Sequence, residues 1–147
     1  MKLVIALDHG GVQLKRVLVT HLLGQGYDVD DLGPETAVRC DYPDYAHRVC
    51  EQVQHPEAHV LGILVCGTGI GMSMVANKHV GIRAAVVSDV FSARATREHN
   101  DCNVLCLGER VVGSGLACTL VDAWLTASFE GGRHQQRIDK MMRYDVK

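Results

Sequence analysis

Short apolar runs alternate with helical patterns along the 147 residues of the chain. Five nearly continuous runs rich in Val, Ile, Leu and Ala predict buried β-strands, and the segments between them repeat apolar residues every three or four positions, which predicts helices. Strands that alternate with helices indicate a parallel sheet with helices on both faces. We therefore expect a three-layer, Rossmann-like α/β fold in a single domain (1–147), with strands at 3–7, 27–32, 60–66, 82–88 and 103–108 and helices at 12–26, 44–54, 70–77, 90–99, 113–127 and 135–144.

The first and fifth helices each show an apolar stripe. A stripe at helical spacing marks the side of a helix that packs on the core. We expect these stripes to face the sheet; they comprise Leu14, Val17, Leu18 and Leu22 in the first helix and Leu116, Leu120, Val121, Trp124 and Leu125 in the fifth.

Polar residues follow several predicted strands, at the edge where open α/β sheets bind their ligands. Asp8 and His9 follow the first strand, and Cys66 ends the third. His99 and Asn100 stand where a helix ends, just before the fifth strand. Two histidines near predicted sheet ends favour a polar pocket.

The overall charge gives no general attraction to nucleic acid or acidic membranes. The net charge is −2 at pH 7, and no apolar run approaches the roughly 20 residues of a membrane helix. The charge is nevertheless uneven, because residues 133–147 hold five Lys or Arg and two Asp, a net charge of +3, and the rest of the chain carries −5. This basic tail is either solvated or able to meet an anionic ligand or a neighbouring subunit.

The cysteines indicate a reducing compartment. The six of them, at 40, 50, 66, 102, 106 and 118, include no CxxC pair. The N-terminal MKLVIALDHGG reaches an acid after only five apolar residues, unlike a secretory signal. We therefore expect reduced thiols in a cytoplasmic protein, most of them buried, with Cys102 and Cys106 as packing residues on either side of the fifth strand.

A glycine-rich loop follows Cys66 in the segment CGTGIGMSMVANK, residues 66–78. A dinucleotide fingerprint would need glycine where the chain has Met72, and the P-loop pattern is absent. A cysteine phosphatase would need an arginine in the loop, which has no basic residue before Lys78. Redox chemistry normally needs a second thiol nearby, and the loop has none. The sequence therefore disfavours nucleotide, phosphatase and redox functions for this loop.

The best spacing for metal ligands is that of His55 and His59, four positions apart. Pro56 lies between them in a predicted loop. We interpret the pair as surface histidines and expect no metal.

Two interpretations of Cys66 remain open from the residues alone. A thiol at a strand end, before successive backbone N–H groups and a helix N-terminus, lies in an environment that binds anions and favours the thiolate. Such a thiolate can act as a general base, and glycines let the backbone approach a ligand closely. Alternatively, the segment is a tight strand-to-helix turn around an inert buried cysteine.

Seven segments span nearly the whole chain in a fixed order: DHGG, DYPDYA, CGTGIGMSMVANK, GIRAAVVSD, REHNDCNVLCLGERVVG, DAWL and FEGGRHQQRI. Each is weak alone, but the ordered set is specific, and it resembles the type B ribose-5-phosphate isomerases and the related galactose-6-phosphate isomerase subunits. The resemblance implies an aldose–ketose isomerase that works through a cis-enediolate without a metal or other cofactor. It also implies dimers or tetramers whose active sites are shared between subunits.

The resemblance further implies a role for each matching residue. Cys66 is similar to the base that moves a proton between C1 and C2, assisted by the Thr68 hydroxyl. One branch of the family uses a glutamate in this loop, but residues 66–78 contain no carboxylate. His99 resembles the residue that opens the furanose ring, assisted by Asp8. The resemblance also implies two sets of substrate contacts. The backbone N–H groups of Gly67, Thr68, Gly69, Ile70 and Gly71 and the Asn100 side chain would contact the reacting oxygens, and His9, Arg110, Arg133 and Arg137 would bind the phosphate, the last two from the neighbouring subunit. Tyr42 either lines the pocket or packs below it, and we favour the pocket.

We therefore expect an isomerase of ribose 5-phosphate and ribulose 5-phosphate, acting as a homodimer or a tetramer. Arg133 and Arg137, four positions apart on one helix, would supply the positive charge that a phosphate needs and the loop lacks. The same chemistry on allose 6-phosphate, galactose 6-phosphate or erythrulose 4-phosphate is the main alternative. A non-catalytic protein that binds sugar phosphates or nucleotides is the alternative from another class.

Overall fold

The computed structural model describes residues 1–55 and 59–145. The loop predicted around Pro56 and the last two residues of the basic tail lie outside these ranges. Every predicted strand and helix is present. The strands are β1 (Lys2–Leu7), β2 (Asp28–Asp31), β3 (Val60–Cys66), β4 (Ala84–Val86) and β5 (Val104–Gly108), and the helices are α1 (Val12–Gly24), α2 (Tyr42–Val53), α3 (Ile70–Ala76), α4 (Val90–Asn100), α5 (Ser114–Thr126) and α6 (Arg133–Met141), the last followed by a short 3₁₀ helix (Met142–Tyr144).

The five strands form one parallel sheet in the order β2-β1-β3-β5-β4. The chain moves from β1 outward to β2 and then returns to place β3 on the other side of β1, so the strand order reverses between β1 and β3. Leu7 of β1 pairs with Val65 of β3, and Cys66 pairs with Gly108 of β5. The carboxyl ends of these three strands therefore meet at the switch point where such sheets bind ligands.

Side chains of the central strands alternate between two cores, as the predicted three-layer fold requires. In β1, Leu3, Ile5 and Leu7 join the core under α1, α4 and α5, whereas Val4 and Ala6 join the core under α2 and α3. Among the described residues, every helix is too short or too polar to span a bilayer.

The predicted apolar stripes were wrong at one position in each helix. Val17 is 40% exposed and Leu116 is 41% exposed, although the other predicted stripe residues are buried. On α1 the buried side instead includes Lys15, which is 1% exposed. Its ammonium lies 2.7 Å from a carboxylate oxygen of Asp31 and donates to the carbonyl of Pro34, so the buried charge is paired beneath the segment that follows β2.

Strand β4 is three residues long instead of the seven predicted, because it lies at the edge of the sheet. On its outer side, the side-chain amide of Asn77 pairs with both backbone groups of Ala84: Oδ1 accepts from the N–H at 2.8 Å, and Nδ2 donates to the carbonyl at 2.9 Å. A side chain thus takes the place of a further strand along this edge.

Candidate active site

Cys66 ends β3 with its sulfur directed into the glycine loop. The residue is 6% exposed, and the Gly69 N–H donates to Sγ at 3.0 Å. This hydrogen bond fixes the position of the sulfur within the loop. The turn requires glycine, because Gly69 has a φ of 77° and a Cβ there would lie 2.9 Å from the Val86 side chain.

Thr68 lies beside Cys66 on the surface of the same loop. Its hydroxyl oxygen accepts from the Ile70 N–H at 3.3 Å, which leaves the hydroxyl proton available to another acceptor. A Cβ built on Gly108 would lie 2.7 Å from the Thr68 Cα, so the end of β5 passes directly beneath the loop.

Four other cysteines are held as thiols. Burial raises the pKa of Cys50 to about 12, and burial also raises the pKa values of Cys102 and Cys106. Partial burial together with the Asp122 carboxylate raises the pKa of Cys118. The packing role predicted for Cys102 and Cys106 agrees with their exposure of 1% and 0%.

The turn after β1 carries Asp8 and His9 to the same edge of the sheet. Asp8 is 8% exposed, its backbone N–H donates to Val65, and its carboxylate accepts from the Gly10 N–H at 2.8 Å. The His9 Nδ1 faces the backbone of Cys40, with the carbonyl oxygen at 3.3 Å and the nitrogen at 3.4 Å. This turn therefore holds a carboxylate and an imidazole next to the strand that carries Cys66.

Arg110 and Tyr42 flank the loop on either side. The Arg110 N–H donates to the Gly67 carbonyl at 3.1 Å, and a Cβ built on Gly67 would lie 3.5 Å from the guanidinium carbon. A Cβ on Gly71 would lie 2.9 Å from the Tyr42 ring, which is part of the first turn of α2 and 39% exposed. The Tyr42 ring thus packs on the loop itself. We call Asp8, His9, Tyr42, Arg110 and residues 66–71 the loop half-site.

Glu109 also lies at this edge, although the sequence pattern predicts no role for it. Its carboxylate accepts from the backbone N–H of Leu14 at 2.8 Å, and its own N–H donates to the Cys66 carbonyl at 2.9 Å. Helix α1 begins after Gly11 without a side-chain cap of its own, so Glu109, which follows β5, supplies that cap. Sequence offers no signal for a cap whose acceptor lies 95 positions away from the helix N–H.

His99 and Asn100 lie at the opposite edge of the sheet, so the prediction that His9 and His99 form one pocket is wrong within a single chain. Helix α4 runs back across the sheet and ends at Asn100, whose carbonyl accepts from Arg83 at 3.0 Å. Arg83 immediately precedes β4, at the amino ends of the strands. The four residue steps of β5 alone separate the two edges by about 13 Å.

Helix α6 packs against His99. The imidazole rings of His99 and His134 stack with centroids 4.4 Å apart and planes within 5°. His134 is 5% exposed and fixes α6 so that Arg137 lines a cleft of about 270 Å³ together with His99 and Asn100. Arg133 begins the helix two residues earlier than predicted, with Nε 3.5 Å from His134 Nε2. We call His99, Asn100, Arg133 and Arg137 the helix half-site. His134, which lies between its two arginines in the sequence, was not among the predicted site residues.

Glu130 also faces His134, with its carboxylate 3.3 Å from Nε2. The donor atoms of His99, Glu130 and His134 lie within 4.8 Å of one another, which is close enough for a metal ion to be considered. However, the parallel rings point their in-plane lone pairs side by side instead of toward one point. The arrangement is therefore better suited to orienting His99 than to binding a cation.

The chain is similar over nearly its whole length to known isomerases. The family model described as ribose/galactose isomerase matches residues 3–141. The ribose-5-phosphate isomerase B of Escherichia coli is 51% identical over 138 residues, covering 94% of this chain and 92% of that protein. The Clostridium thermocellum ribose-5-phosphate isomerase B structure superposes with a TM-score of 0.94 at 50% identity, covering 97% of this chain and 96% of that one. The structure of the Mycoplasma genitalium enzyme with bound ribulose-5-phosphate superposes with a TM-score of 0.93 at 45% identity, covering 97% of this chain and 95% of that one. The chain therefore belongs to the ribose/galactose isomerase family.

Proposed function

We propose that the chain interconverts D-ribose 5-phosphate and D-ribulose 5-phosphate, with Cys66 as the base. The observation that carries the proposal is the Cys66 sulfur held by the Gly69 N–H at the switch point of the sheet, in a loop that contacts Arg110 and lies next to the turn of Asp8. Support for the substrate comes from the E. coli and M. genitalium relatives, which are ribose-5-phosphate isomerases B.

The proposed reaction moves one carbon-bound proton and needs no external oxidant. Once the ring is open, the Cys66 thiolate removes the proton from C2 of the aldose, and the C–H electrons form the C1–C2 double bond while O1 gains negative charge. Backbone N–H groups of the loop stabilise that charge, as in an oxyanion hole. Thr68 assists transfer of the O2 proton toward O1, and the Cys66 thiol returns its proton to C1, so the carbonyl group moves to C2.

The proposed site is shared between two copies of the chain. The loop half-site contains the base but not the ring-opening His99, and the helix half-site contains His99 and two arginines but no thiol. Since the two lie at opposite edges of the sheet, a complete site requires the helix half-site of a second copy. Apolar side chains around the loop edge would be covered by such a partner: Ile70, Met74, Val86 and Phe91 are 49%, 64%, 43% and 80% exposed.

We propose a homodimer as the minimal active unit, and a tetramer built from two such dimers would contain the same shared sites. A cytoplasmic location is part of the proposal. The six cysteines, all within the described ranges, are free thiols, which agrees with a reducing compartment.

An isomerase assay over four-, five- and six-carbon sugar phosphates tests the substrate. We expect kcat/KM for ribose 5-phosphate to exceed that for allose 6-phosphate, galactose 6-phosphate and erythrulose 4-phosphate by at least about tenfold, because one extra or missing carbon changes the fit by that order. A higher value for another sugar phosphate would replace the proposed substrate. Thermal stabilisation by these compounds without any turnover would instead indicate a binding protein.

Replacing His99 by Asn is expected to impair cyclic substrates selectively. Ribose 5-phosphate must be opened first, whereas erythrose 4-phosphate is always open-chain, because its O4 carries the phosphate and cannot close a furanose ring. We expect kcat/KM to fall about a hundredfold for ribose 5-phosphate, as for loss of an acid–base group, and less for erythrose 4-phosphate. His21→Asn, a change on α1 at a ring that pairs with Asp122 of α5, is the matched control. Equal losses with both substrates would contradict the ring-opening role.

A further inference from the structure

We propose that His47 and His79 bind a divalent transition-metal ion at a site separate from both half-sites. His47 lies in the middle of α2, and His79 lies just after the end of α3. Nδ1 of His47 and Nε2 of His79 are 2.9 Å apart, and the ring planes are tilted by 31°. Two helices thus bring one nitrogen of each imidazole together at the surface.

We call the two facing nitrogens, Nδ1 of His47 and Nε2 of His79, the inner nitrogens. The partner of the other, outer nitrogen of each ring determines whether the inner one carries a proton. Nδ1 of His79 lies 3.1 Å from the Val75 carbonyl, which can only accept, so this nitrogen carries a proton. Nε2 of His47 lies 3.4 Å from a carboxylate oxygen of Glu51, which favours a proton there as well. In the neutral rings, both inner nitrogens then carry a lone pair and neither carries a proton. A cation bound by both nitrogens removes the repulsion between these lone pairs.

A metal ion fits this arrangement better than a proton alone in two respects. Histidines that ligate metals usually donate their other N–H to a carboxylate or a backbone carbonyl, which are the groups that Glu51 and Val75 provide here. Two metal–nitrogen bonds of about 2.05 Å at a right angle also place their nitrogens about 2.9 Å apart, as in tetragonal Ni²⁺ or Cu²⁺ sites. A tetrahedral Zn²⁺ site would require the nitrogens to separate to about 3.3 Å.

The surroundings allow an ion to enter and to complete its coordination with water. The side chains of His47 and Glu51 are 56% and 61% exposed. A bound ion would link α2 to the end of α3, the two helices that cover one face of the sheet and whose first turns carry Tyr42 and the end of the glycine loop. We therefore expect binding to stabilise the folded chain.

Calorimetric titration of the full chain with Ni²⁺ tests the proposal. Ni²⁺ is the probe because Cu²⁺ would oxidise free cysteines, and Mg²⁺, which prefers oxygen ligands, is the negative control. We expect His47→Gln and His79→Gln each to weaken Ni²⁺ binding at least tenfold and to abolish the rise in Tm. Glu51→Gln should weaken binding about tenfold through the His47 ring. His21→Gln, which changes a histidine paired with Asp122 and Gln25, should leave binding unchanged.

Unchanged affinity in both His47→Gln and His79→Gln would overturn the proposal and leave the pair held by a shared proton. Preferential broadening of the His99 or His134 ring resonances by Ni²⁺ would do the same, by locating the ion at the α6 cluster. The Cys66→Ala chain should bind Ni²⁺ like the unmodified chain. The result therefore does not depend on whether the proposed isomerase activity is correct.

Discussion

Replacement of Cys66 by Ala is expected to lower kcat/KM for ribose 5-phosphate by at least about a thousandfold. Without the thiolate, nothing else among residues 66–78 can accept the C2 proton, and loss of a general base costs rates of this order. Exchange of the C2 proton with deuterated solvent should disappear as well, whereas Tm and the affinity for substrate should change little. The measurements are steady-state rates, proton exchange followed by NMR, and thermal unfolding.

Two control variants separate the chemistry of Cys66 from its packing. Cys66→Ser keeps an acceptor for the Gly69 N–H but offers a hydroxyl, which is a much weaker acid than a thiol, so activity should remain very low. Cys118→Ala removes a partly exposed thiol from α5 and should leave activity unchanged. Substantial turnover by the Ala or Ser variant of Cys66 would show that another group moves the proton.

Mixing Cys66→Ala chains with Arg137→Ala chains is expected to restore activity that neither possesses alone. In a mixed dimer with shared sites, one site carries both substitutions and the other carries neither. Random reassortment makes half of the dimers mixed, so the mixture should reach about a quarter of the native activity per site. Rates are measured after unfolding and refolding the two variants together, with the exchange verified by mass spectrometry of the intact dimers.

The matched control is a mixture of Cys66→Ala with Arg110→Ala. Both of these residues belong to the loop half-site. In a mixed dimer, each site therefore contains one of the two substitutions. No recovery is expected in that mixture. Recovery in both mixtures, or in neither despite verified exchange, would contradict the division of the site between the two edges.

The fold could be predicted from the sequence because its signals are local. The run VLGILVC predicted β3 with its observed ends, since a buried parallel strand is continuously apolar. The length of the edge strand β4 was overestimated, because the apolar run of the sequence extends beyond the strand at both ends. On the outer side of β4, the Asn77 side chain takes the place of a neighbouring strand. The residues of the loop half-site could also be predicted, since the carboxyl ends of the strands of a parallel sheet meet at one edge.

The features that could not be predicted depend on contacts between distant segments. The position of His99 was misjudged for a different reason: α4 runs back across the sheet, so a residue just before the parallel strand β5 lies at the amino edge. Lys15 is buried because the segment after β2 supplies Asp31, and its position in the helix gives no sign of that partner. Tyr42 contacts Gly71 because α2 begins two residues earlier than its pattern indicates.

Glu109 also changes what the N-terminal end of α1 offers to an anion. In dinucleotide-binding sheets, the pyrophosphate lies against the N-terminus of the helix that follows the first strand. Here the Glu109 carboxylate accepts from the Leu14 N–H at that helix end, so a negative charge already occupies the region. A pyrophosphate would lose this N–H donor and meet like-charge repulsion, whereas His9 and the arginines remain available to a single sugar phosphate. One acidic side chain thus occupies a helix end that dinucleotide-binding sheets leave to the pyrophosphate.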